Sequence, residues 1–221
     1  LECVRKIKKV KSSIIITTDK VYDNSKNKIF KENDRLGGID PYSSSKVCVE
    51  YLFSSYKNSF FKQSSLQKLA TVRAGNVIGG GDWANNRIVP DCIRSWSKNK
   101  KAKLRNPKAT RPWQHVLEAV GGYLCLAINL KINKKLHGES FNFGPDLSRE
   151  YSVEQLVKEM SNNWENVSWK KISKHKNKFH ESELLRLNCN KAKKILKWSP
   201  KISFDDLVKN MVEEDLKNIN S

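Results

Sequence analysis

A run of β-branched residues that ends in polar ones is the feature that most constrains this chain. Residues 14–17 read Ile-Ile-Ile-Thr, and Thr18 and Asp19 follow them. Such a run predicts a buried strand of a parallel sheet. Open α/β sheets bind their ligands at the carboxyl ends of parallel strands. We therefore predict an α/β fold with Thr18 and Asp19 at a ligand site.

A helix is predicted to follow, from Tyr42 to about Tyr56, with Pro41 in its first turn. Its apolar positions recur at helical spacing; they are Val47, Cys48, Tyr51 and Leu52. Tyr42 and Lys46 are four residues apart and share one helix face. A nearby ammonium group stabilises the charged form of a phenol. With the hydroxyl of Thr18 as a hydrogen-bond donor, this pair is suited to removing a proton from an alcohol.

A Tyr-x-x-x-Lys pattern alone is weak evidence, because chance supplies it often. Its surroundings carry more weight. The specific segments are TTDKVYDN (17–24), DPYSSSK (40–46), VRAGNVIGGGDWANNRIVPD (72–91), RNPKATRPWQHVLE (105–118) and FNFGP (141–145). With these segments the chain resembles the extended short-chain dehydrogenases/reductases, the NAD-dependent epimerase/dehydratase family. Within that family it is most similar to the nucleotide-sugar 4,6-dehydratases that act on CDP-glucose.

The resemblance implies a partial Rossmann-like, doubly wound parallel sheet with a smaller C-terminal substrate-binding lobe. We expect residues 1–80 to belong to the NAD-binding and catalytic domain and residues 81–221 mainly to the lobe. Residues 141–145 are expected to return to the main sheet. The best boundary in the sequence lies near residues 70–90.

Local patterns predict further elements. Residues 69–78 predict a second buried strand, and residues 109–115 a turn. Residues 116–130 predict a largely buried helix that Gly121 and Gly122 interrupt. Residues 152–155 form a capping box, and a last helix is predicted with one apolar stripe, which consists of Phe204, Leu207, Val208, Met211 and Val212.

One family feature does not occur in these 221 residues: the Gly-x-x-Gly-x-x-Gly turn that seats the cofactor pyrophosphate on a helix N-terminus. The run Gly79-Gly80-Gly81 lacks that spacing, and we interpret it as a loop that shapes the sugar site. We therefore expect a fragment that lacks about a hundred N-terminal residues of a dinucleotide-binding half. Such a fragment is expected to bind NAD poorly and to turn over no substrate.

The resemblance also implies catalytic roles. Tyr42 would take the proton of the sugar 4-hydroxyl, helped by Thr18 and Lys46, and Tyr42 and Lys46 would contact the NAD cofactor. Asp19 would be the acid for the departing C6 hydroxyl. Lys20 stands where enzymes acting on dTDP-glucose carry a Glu that serves as the C5 base, which favours the CDP-glucose branch. The group that takes the C5 proton is left open.

Four further residues are implied to bind the nucleotide-sugar substrate. They are Asn76, Arg87, Arg111 and Asn142. Arg111 would face the pyrophosphate, because a guanidinium group matches two phosphate oxygens better than an ammonium group does. His115 lies in the same motif as Arg111, and we expect it to be a hydrogen-bonded structural residue.

The net charge of +19 favours a competing class of function, a surface for nucleic acid or anionic membranes. The positive residues are mostly lysines spread along the chain, and aromatic residues do not interleave with them as in single-strand binders. We therefore expect no nucleic-acid or membrane partner. Part of the charge can instead attract an anionic nucleotide-sugar.

Cysteine usage and hydropathy indicate a cytoplasmic enzyme. The five cysteines are scattered with no Cys-x-x-Cys spacing, which predicts free thiols in a reducing compartment. No signal peptide and no apolar stretch of membrane-spanning length is visible. His175 and His180 lie in a lysine-rich stretch without partners for a metal, so we expect none.

Three functional hypotheses stay open. The first is a CDP-glucose 4,6-dehydratase or its fragment, homo-oligomeric at full length, with a place in O-antigen and lipopolysaccharide biosynthesis. The second is a sugar-nucleotide epimerase or reductase on the same fold, which yields no dehydrated product. The third is a basic binding module without catalysis, which salt-sensitive binding to nucleic acid would reveal.

Overall fold

The structure is a computed structural model that describes residues 1–25, 28–62, 65–146, 150–165, 167–172 and 185–220. His175 and His180, considered above as metal ligands, lie outside these residues. The helices of this part are α1 Glu2–Lys6, α2 Pro41–Phe60, α3 Ile88–Trp96, α4 Val116–Ile132, α5 Val153–Asn162, α6 Asn190–Leu196 and α7 Phe204–Asn220. The strands are β1 Ser12–Ile16, β2 Ile29–Phe30, β3 Lys68–Ala74, β4 Val77–Ile78, β5 Ala102–Leu104, β6 Thr110–Arg111, β7 Gln114–His115, β8 Ser140–Phe143, β9 Tyr151–Ser152, β10 Trp169–Lys171 and β11 Arg186–Leu187.

The contacts divide the chain into two compact units. The first comprises residues 1–75, 118–147 and 185–200, and the second comprises residues 76–117, 148–184 and 201–221. The two functional domains, 1–80 and 81–221, stay a prediction.

The first unit holds a three-stranded parallel sheet in the order β1-β3-β8. Ile14 aligns with Ala70 in one strand pair, and Val72 aligns with Phe141 in the other. Parallel strands end at the same edge of a sheet, so the segments that follow β1 and β3 emerge side by side.

The middle strand, β3, is buried at every residue, including the polar Lys68, Thr71 and Arg73. The prediction that β1 is buried was wrong: its residues are partly exposed, and Ile16 is 54% exposed. Within the described residues β1 pairs on one side only, with β3, which explains its exposure.

Helix α2 begins where the sequence predicts, because Asp40 accepts a hydrogen bond from the amide of Ser43 and Pro41 occupies the first turn. Of the four apolar positions at helical spacing, Val47 is buried and Cys48 is exposed. Tyr51 and Leu52 are 62% and 54% exposed. Its buried positions are Ser43, Val47, Glu50 and Phe53. Two of these are polar, which an apolar pattern does not detect.

Helix α4 runs without a break from Val116 to Ile132, so the expectation that Gly121 and Gly122 interrupt a largely buried helix was wrong. One face is buried. The opposite face exposes large apolar side chains; they are Leu117, Val120, Leu124, Ile128 and Ile132. Gly122 lies on the buried face against the ring of Phe143, where a side chain would not fit.

The second unit has its own core, formed largely by α3, α5 and α7. Its apolar stripe on α7 is buried as predicted; the residues are Phe204, Leu207, Val208, Met211 and Val212. Ser152 and Gln155 form the predicted capping box of α5. The segment 109–115 was predicted as a turn and instead contains β6 and β7, which pair with β9 and β4.

Adjacent glycines of α4 allow a matched test of this packing. We expect Gly122→Ala to destabilise the protein by about 1–3 kcal/mol, because the added carbon would lie 2.5 Å from the ring of Phe143. Gly121→Ala meets nothing within 4 Å and is expected to stabilise the helix by about 0.5–1 kcal/mol. Urea unfolding measures both. Equal effects of the two substitutions would contradict the described packing.

Candidate active site

The candidate site begins at the carboxyl end of β1. After Ile16 the chain enters a short 3₁₀ turn, Asp19–Val21, which Thr18 caps. The Thr18 hydroxyl accepts a hydrogen bond from the amide of Lys20 at 3.4 Å and donates one to Asp19 Oδ1 at 3.0 Å. The turn therefore holds the Thr18 hydroxyl and the Asp19 carboxyl group, the predicted donor and the predicted acid, in contact with each other.

Asp19 is 3% exposed. Burial raises the pKa of its carboxyl group to about 6, while the hydrogen bond from Thr18 and the charge of Lys20 oppose the rise. A carboxyl group with such a pKa is partly protonated near neutral pH and can serve as an acid.

Tyr42 lies in the first turn of α2 and is half exposed. The ammonium nitrogens of Lys20 and Lys46 lie 5.8 and 5.9 Å from the centroid of its ring. The structure thus brings Lys20, Tyr42 and Lys46 together, as the sequence predicts for Tyr42 and Lys46. Both ammonium groups therefore lie within cation–π distance of the ring.

A buried ion pair below this group was missed from the sequence. Glu50, two helical turns after Tyr42, meets Arg73 of β3 through two hydrogen bonds of 2.8 and 2.9 Å. Thr17 and Thr71 donate to the same carboxylate at 2.6 and 3.1 Å. The pair therefore ties α2 to β3 and to the residue that precedes Thr18. The only sequence signal was a charged residue on the inward face of a helix.

The network continues to Asn142, which the resemblance implied to be a substrate contact. Arg73 donates to the hydroxyl of Tyr22 at 2.9 Å, and Tyr22 donates to Asn142 Oδ1 at 2.7 Å. The Asn142 amide nitrogen donates to the carbonyls of Phe30 and Asn188 at 3.1 and 3.4 Å. The side chain is fully buried and its polar atoms have partners within the protein. These contacts favour a structural role for Asn142.

Asn76 and the glycine run belong to the second unit. Asn76 adopts a left-handed conformation with φ 53°, and its carbonyl accepts from the amide of Gln114 at 3.2 Å. The amide of Gly81 donates to Asp215 Oδ1 at 2.7 Å. Burial raises the pKa of Asp215. The glycine loop is therefore hydrogen-bonded to α7. Its role at a sugar site stays a prediction.

The other predicted substrate residues also lie in the second unit. Arg87 is exposed, precedes α3 and pairs with Asp82 at 3.1 Å. Arg111 is partly buried in β6 and donates to the carbonyl of Thr110 at 2.8 Å. Nδ1 of the buried His115 accepts from a backbone amide, which agrees with a structural role.

Metal sites and membrane-spanning helices are absent from the described part of the chain. It contains no group of three or more His, Cys, Asp or Glu side chains placed to hold a metal ion. None of its helices combines the length and the apolar character needed to cross a bilayer.

The family model described as "GDP-mannose 4,6 dehydratase" matches residues 1–211. The chain belongs to this family. A CDP-glucose 4,6-dehydratase from Salmonella typhimurium is 42% identical over 207 residues, which cover 91% of this chain and 57% of that protein. A human dTDP-D-glucose 4,6-dehydratase is 29% identical over 69% of this chain and 40% of its own length. These relatives confirm the family that the motifs predicted.

Solved structures agree on the fold. A UDP-glucuronic acid 4-epimerase from Bacillus cereus, in complex with UDP-glucuronic acid and NAD, superposes with a TM-score of 0.79 at 18% identity. A dTDP-glucose 4,6-dehydratase from Bacillus anthracis, in complex with NAD, gives 0.76 at 21% identity. Each match covers 98% of this chain and 65% of the other one. The predicted α/β, Rossmann-like fold is thereby confirmed, and the chain spans less than two thirds of these relatives.

The buried ion pair generates a prediction about stability. We expect Glu50→Gln to destabilise the protein by about 3 kcal/mol, because it leaves the Arg73 charge buried without its partner. Glu213→Gln is the control, since Glu213 forms a solvent-exposed pair with Lys209, and its effect is expected within about 0.5 kcal/mol. Denaturant unfolding measures both. A cost for Glu50→Gln as small as that of the control would show that the pair does not hold α2.

The raised pKa of Asp19 makes the stability depend on pH. The folded state binds the proton of the Asp19 carboxyl group more tightly than the unfolded state does. The stabilisation of the folded state by this proton is therefore complete below about pH 4 and is lost as the pH rises through about 6. The stability of Asp19→Asn relative to the native chain should therefore rise by up to about 3 kcal/mol between pH 4 and 7.

Urea titrations at several pH values measure this difference. Asp34→Asn is the control, because a hydrogen bond from Lys28 holds the pKa of Asp34 below its ordinary value. Its effect on stability should change little above about pH 4. A flat profile for Asp19→Asn would rule out a raised pKa.

Proposed function

We propose that these residues belong to an NAD-dependent sugar-nucleotide 4,6-dehydratase, a hydro-lyase that converts CDP-glucose to CDP-4-keto-6-deoxyglucose. The observation that carries the proposal is the grouping of Lys20, Tyr42 and Lys46 beside the buried, hydrogen-bonded pair of Thr18 and Asp19. The 42% identity to the Salmonella enzyme supports the choice of substrate.

Two proton transfers are assigned to this group. Tyr42 removes the proton of the sugar 4-hydroxyl, while the ammonium groups of Lys20 and Lys46 supply positive charge beside its ring. Thr18 has a single hydroxyl proton, so in the substrate complex it turns this proton from Asp19 Oδ1 to the 4-hydroxyl oxygen. Asp19 delivers a proton to the C6 hydroxyl, which leaves as water. Its buried and partly protonated carboxyl group suits this role. The group that removes the C5 proton is left unassigned.

Lys20 narrows the choice between nucleotide-sugar substrates. A carboxylate at this position can act as a base towards C5, and a protonated ammonium group cannot. The ammonium of Lys20 instead adds positive charge beside Tyr42. We therefore assign the chain to the CDP-glucose branch.

The residues present fit one part of an NAD site. The half-exposed Tyr42 and the neighbouring Lys46 would contact the cofactor near its reactive end. When bound, NAD accepts hydride from C4 and returns it at C6. The glycine-rich turn for the pyrophosphate does not occur in these 221 residues, so we expect weak NAD binding by this chain alone, which calorimetry can test.

The remaining substrate contacts are assigned by resemblance. Asn76, Arg87 and Arg111 would bind the nucleotide-sugar, with Arg111 on the pyrophosphate. We also propose a cytoplasmic, homo-oligomeric enzyme whose product enters O-antigen and lipopolysaccharide biosynthesis. No nucleic-acid or membrane partner is proposed.

An epimerase on the same fold is the second candidate, because the structure of a UDP-glucuronic acid 4-epimerase superposes well. At 18% identity, this match is evidence for a shared fold and not for a shared function. The product distinguishes the two functions, since an epimerase yields no 4-keto-6-deoxy sugar.

The activity can be tested in a chimera in which the N-terminal part of the Salmonella relative precedes these 221 residues. We expect it to convert CDP-glucose to a product with 4-keto sugar absorbance. Tyr42→Phe should lower kcat by about 100-fold or more, because the base is removed. Tyr51→Phe, in an exposed position of the same helix, should leave kcat unchanged. Normal turnover by Tyr42→Phe would contradict the assigned base.

A further inference from the structure

The position of Asp19 depends on a residue to which no role was assigned above, Gly75. Strands β1 and β3 pair in parallel from Ser12 with Lys68 to Ile16 with Val72, so the segments that follow them, which contain Asp19 and Gly75, leave the sheet side by side. A Cβ atom built on Gly75 would lie 1.9 Å from Asp19 Oδ2 and 2.2 Å from Asp19 Cγ. The carboxyl group therefore occupies the space of a side chain at position 75.

Backbone conformation does not explain this glycine. Gly81 has φ +79° and nothing within 4 Å of a built Cβ, so its requirement is conformational. Gly75 is not among the glycines with positive φ, and residues with side chains can adopt its conformation. What position 75 requires is the absence of a side chain.

We propose that Gly75 is a positioning residue for Asp19: its missing side chain leaves the space that holds the carboxyl group against the Thr18 hydroxyl. The inference rests on the proposed function, in which Asp19 is the acid. A side chain at position 75 would displace the carboxyl group from Thr18 and from its enclosed position. The acid would then be more solvated, while the charge facing it would still be that of Lys20.

The first test is a ¹³C NMR titration of the Asp19 carboxyl group in the 221-residue chain. We expect Gly75→Ala to lower its pKa from about 6 towards the ordinary value of about 4, because the carboxyl group loses its burial. Gly121→Ala, a glycine with free space around it in the same unit, should leave this pKa unchanged. An unchanged pKa in Gly75→Ala would overturn the proposal.

A second test covers the case in which Gly75→Ala folds poorly. Asp19→Ala removes the three atoms nearest to the built Cβ. We expect Gly75→Ala to lower the thermal midpoint by roughly 3–10 °C in the native background and by much less in the Asp19→Ala background. The same loss in both backgrounds, or a double variant that stays unfolded, would overturn the proposal.

Both tests use no substrate, so their outcome is independent of the proposed function. In the chimera, Gly75→Ala is expected to lower kcat about 10-fold or more with KM nearly unchanged, because proton delivery is affected and binding is not. A chimera without activity combined with a lowered Asp19 pKa would refute the proposed function and leave the positioning role of Gly75 intact. If Gly75→Ala instead raised KM and left kcat unchanged, this result would count against the positioning role of Gly75.

Discussion

The ion pair between Glu50 and Arg73 is the contact on which the candidate site depends. Both groups are almost fully buried, and each carboxylate oxygen also accepts a hydrogen bond from a threonine. Removing two charges from water is costly, so such a pair persists only when its geometry is well satisfied. Because Glu50 lies on α2 and Arg73 on β3, the pair fixes the helix that carries Tyr42 and Lys46 relative to the sheet. The pair adds a polar contact to the buried apolar packing of Val47 and Phe53, which also holds this helix.

The parallel pairing of β1 with β3 positions the other residues of the candidate site. Since β1 and β3 leave the sheet at the same edge, Thr17 can reach Glu50, Thr18 can cap the turn, and Asp19 can lie over Gly75. Parallel pairing of β1 and β3 therefore brings together Asp19 and Gly75, which are more than fifty residues apart in sequence. A shift of the register between β1 and β3 would separate Asp19 from the space at Gly75.

The sequence predicted those features that repeat locally. The β-branched run gave the location of β1, and the Asp40–Pro41 pair together with helical spacing gave the start of α2. The apolar stripe of α7 was also correct, because all its members face one core. Tyr51 and Leu52 are exposed although they recur at helical spacing, because Ser43 and Glu50 face inward through hydrogen bonds, and periodicity counts only apolar residues. The exposure of Ile16 depends on how many neighbours β1 has. The space at Gly75 and the contacts of Asn142 depend on distant partners, so no local pattern indicates them.

The site combines two opposite electrostatic environments within a few residues. Around Tyr42, two ammonium groups lie 5.8 and 5.9 Å from the ring centroid and place positive charge beside the proposed base. Around Asp19, burial favours the neutral acid, which suits a proton donor. Lys20 belongs to both environments, because its ammonium group lies beside the ring of Tyr42 and its charge opposes the protonation of Asp19. A base and an acid can therefore coexist only if burial of Asp19 outweighs this charge. The raised pKa of Asp19 indicates that it does, and the absence of a side chain at Gly75 is what permits that depth of burial.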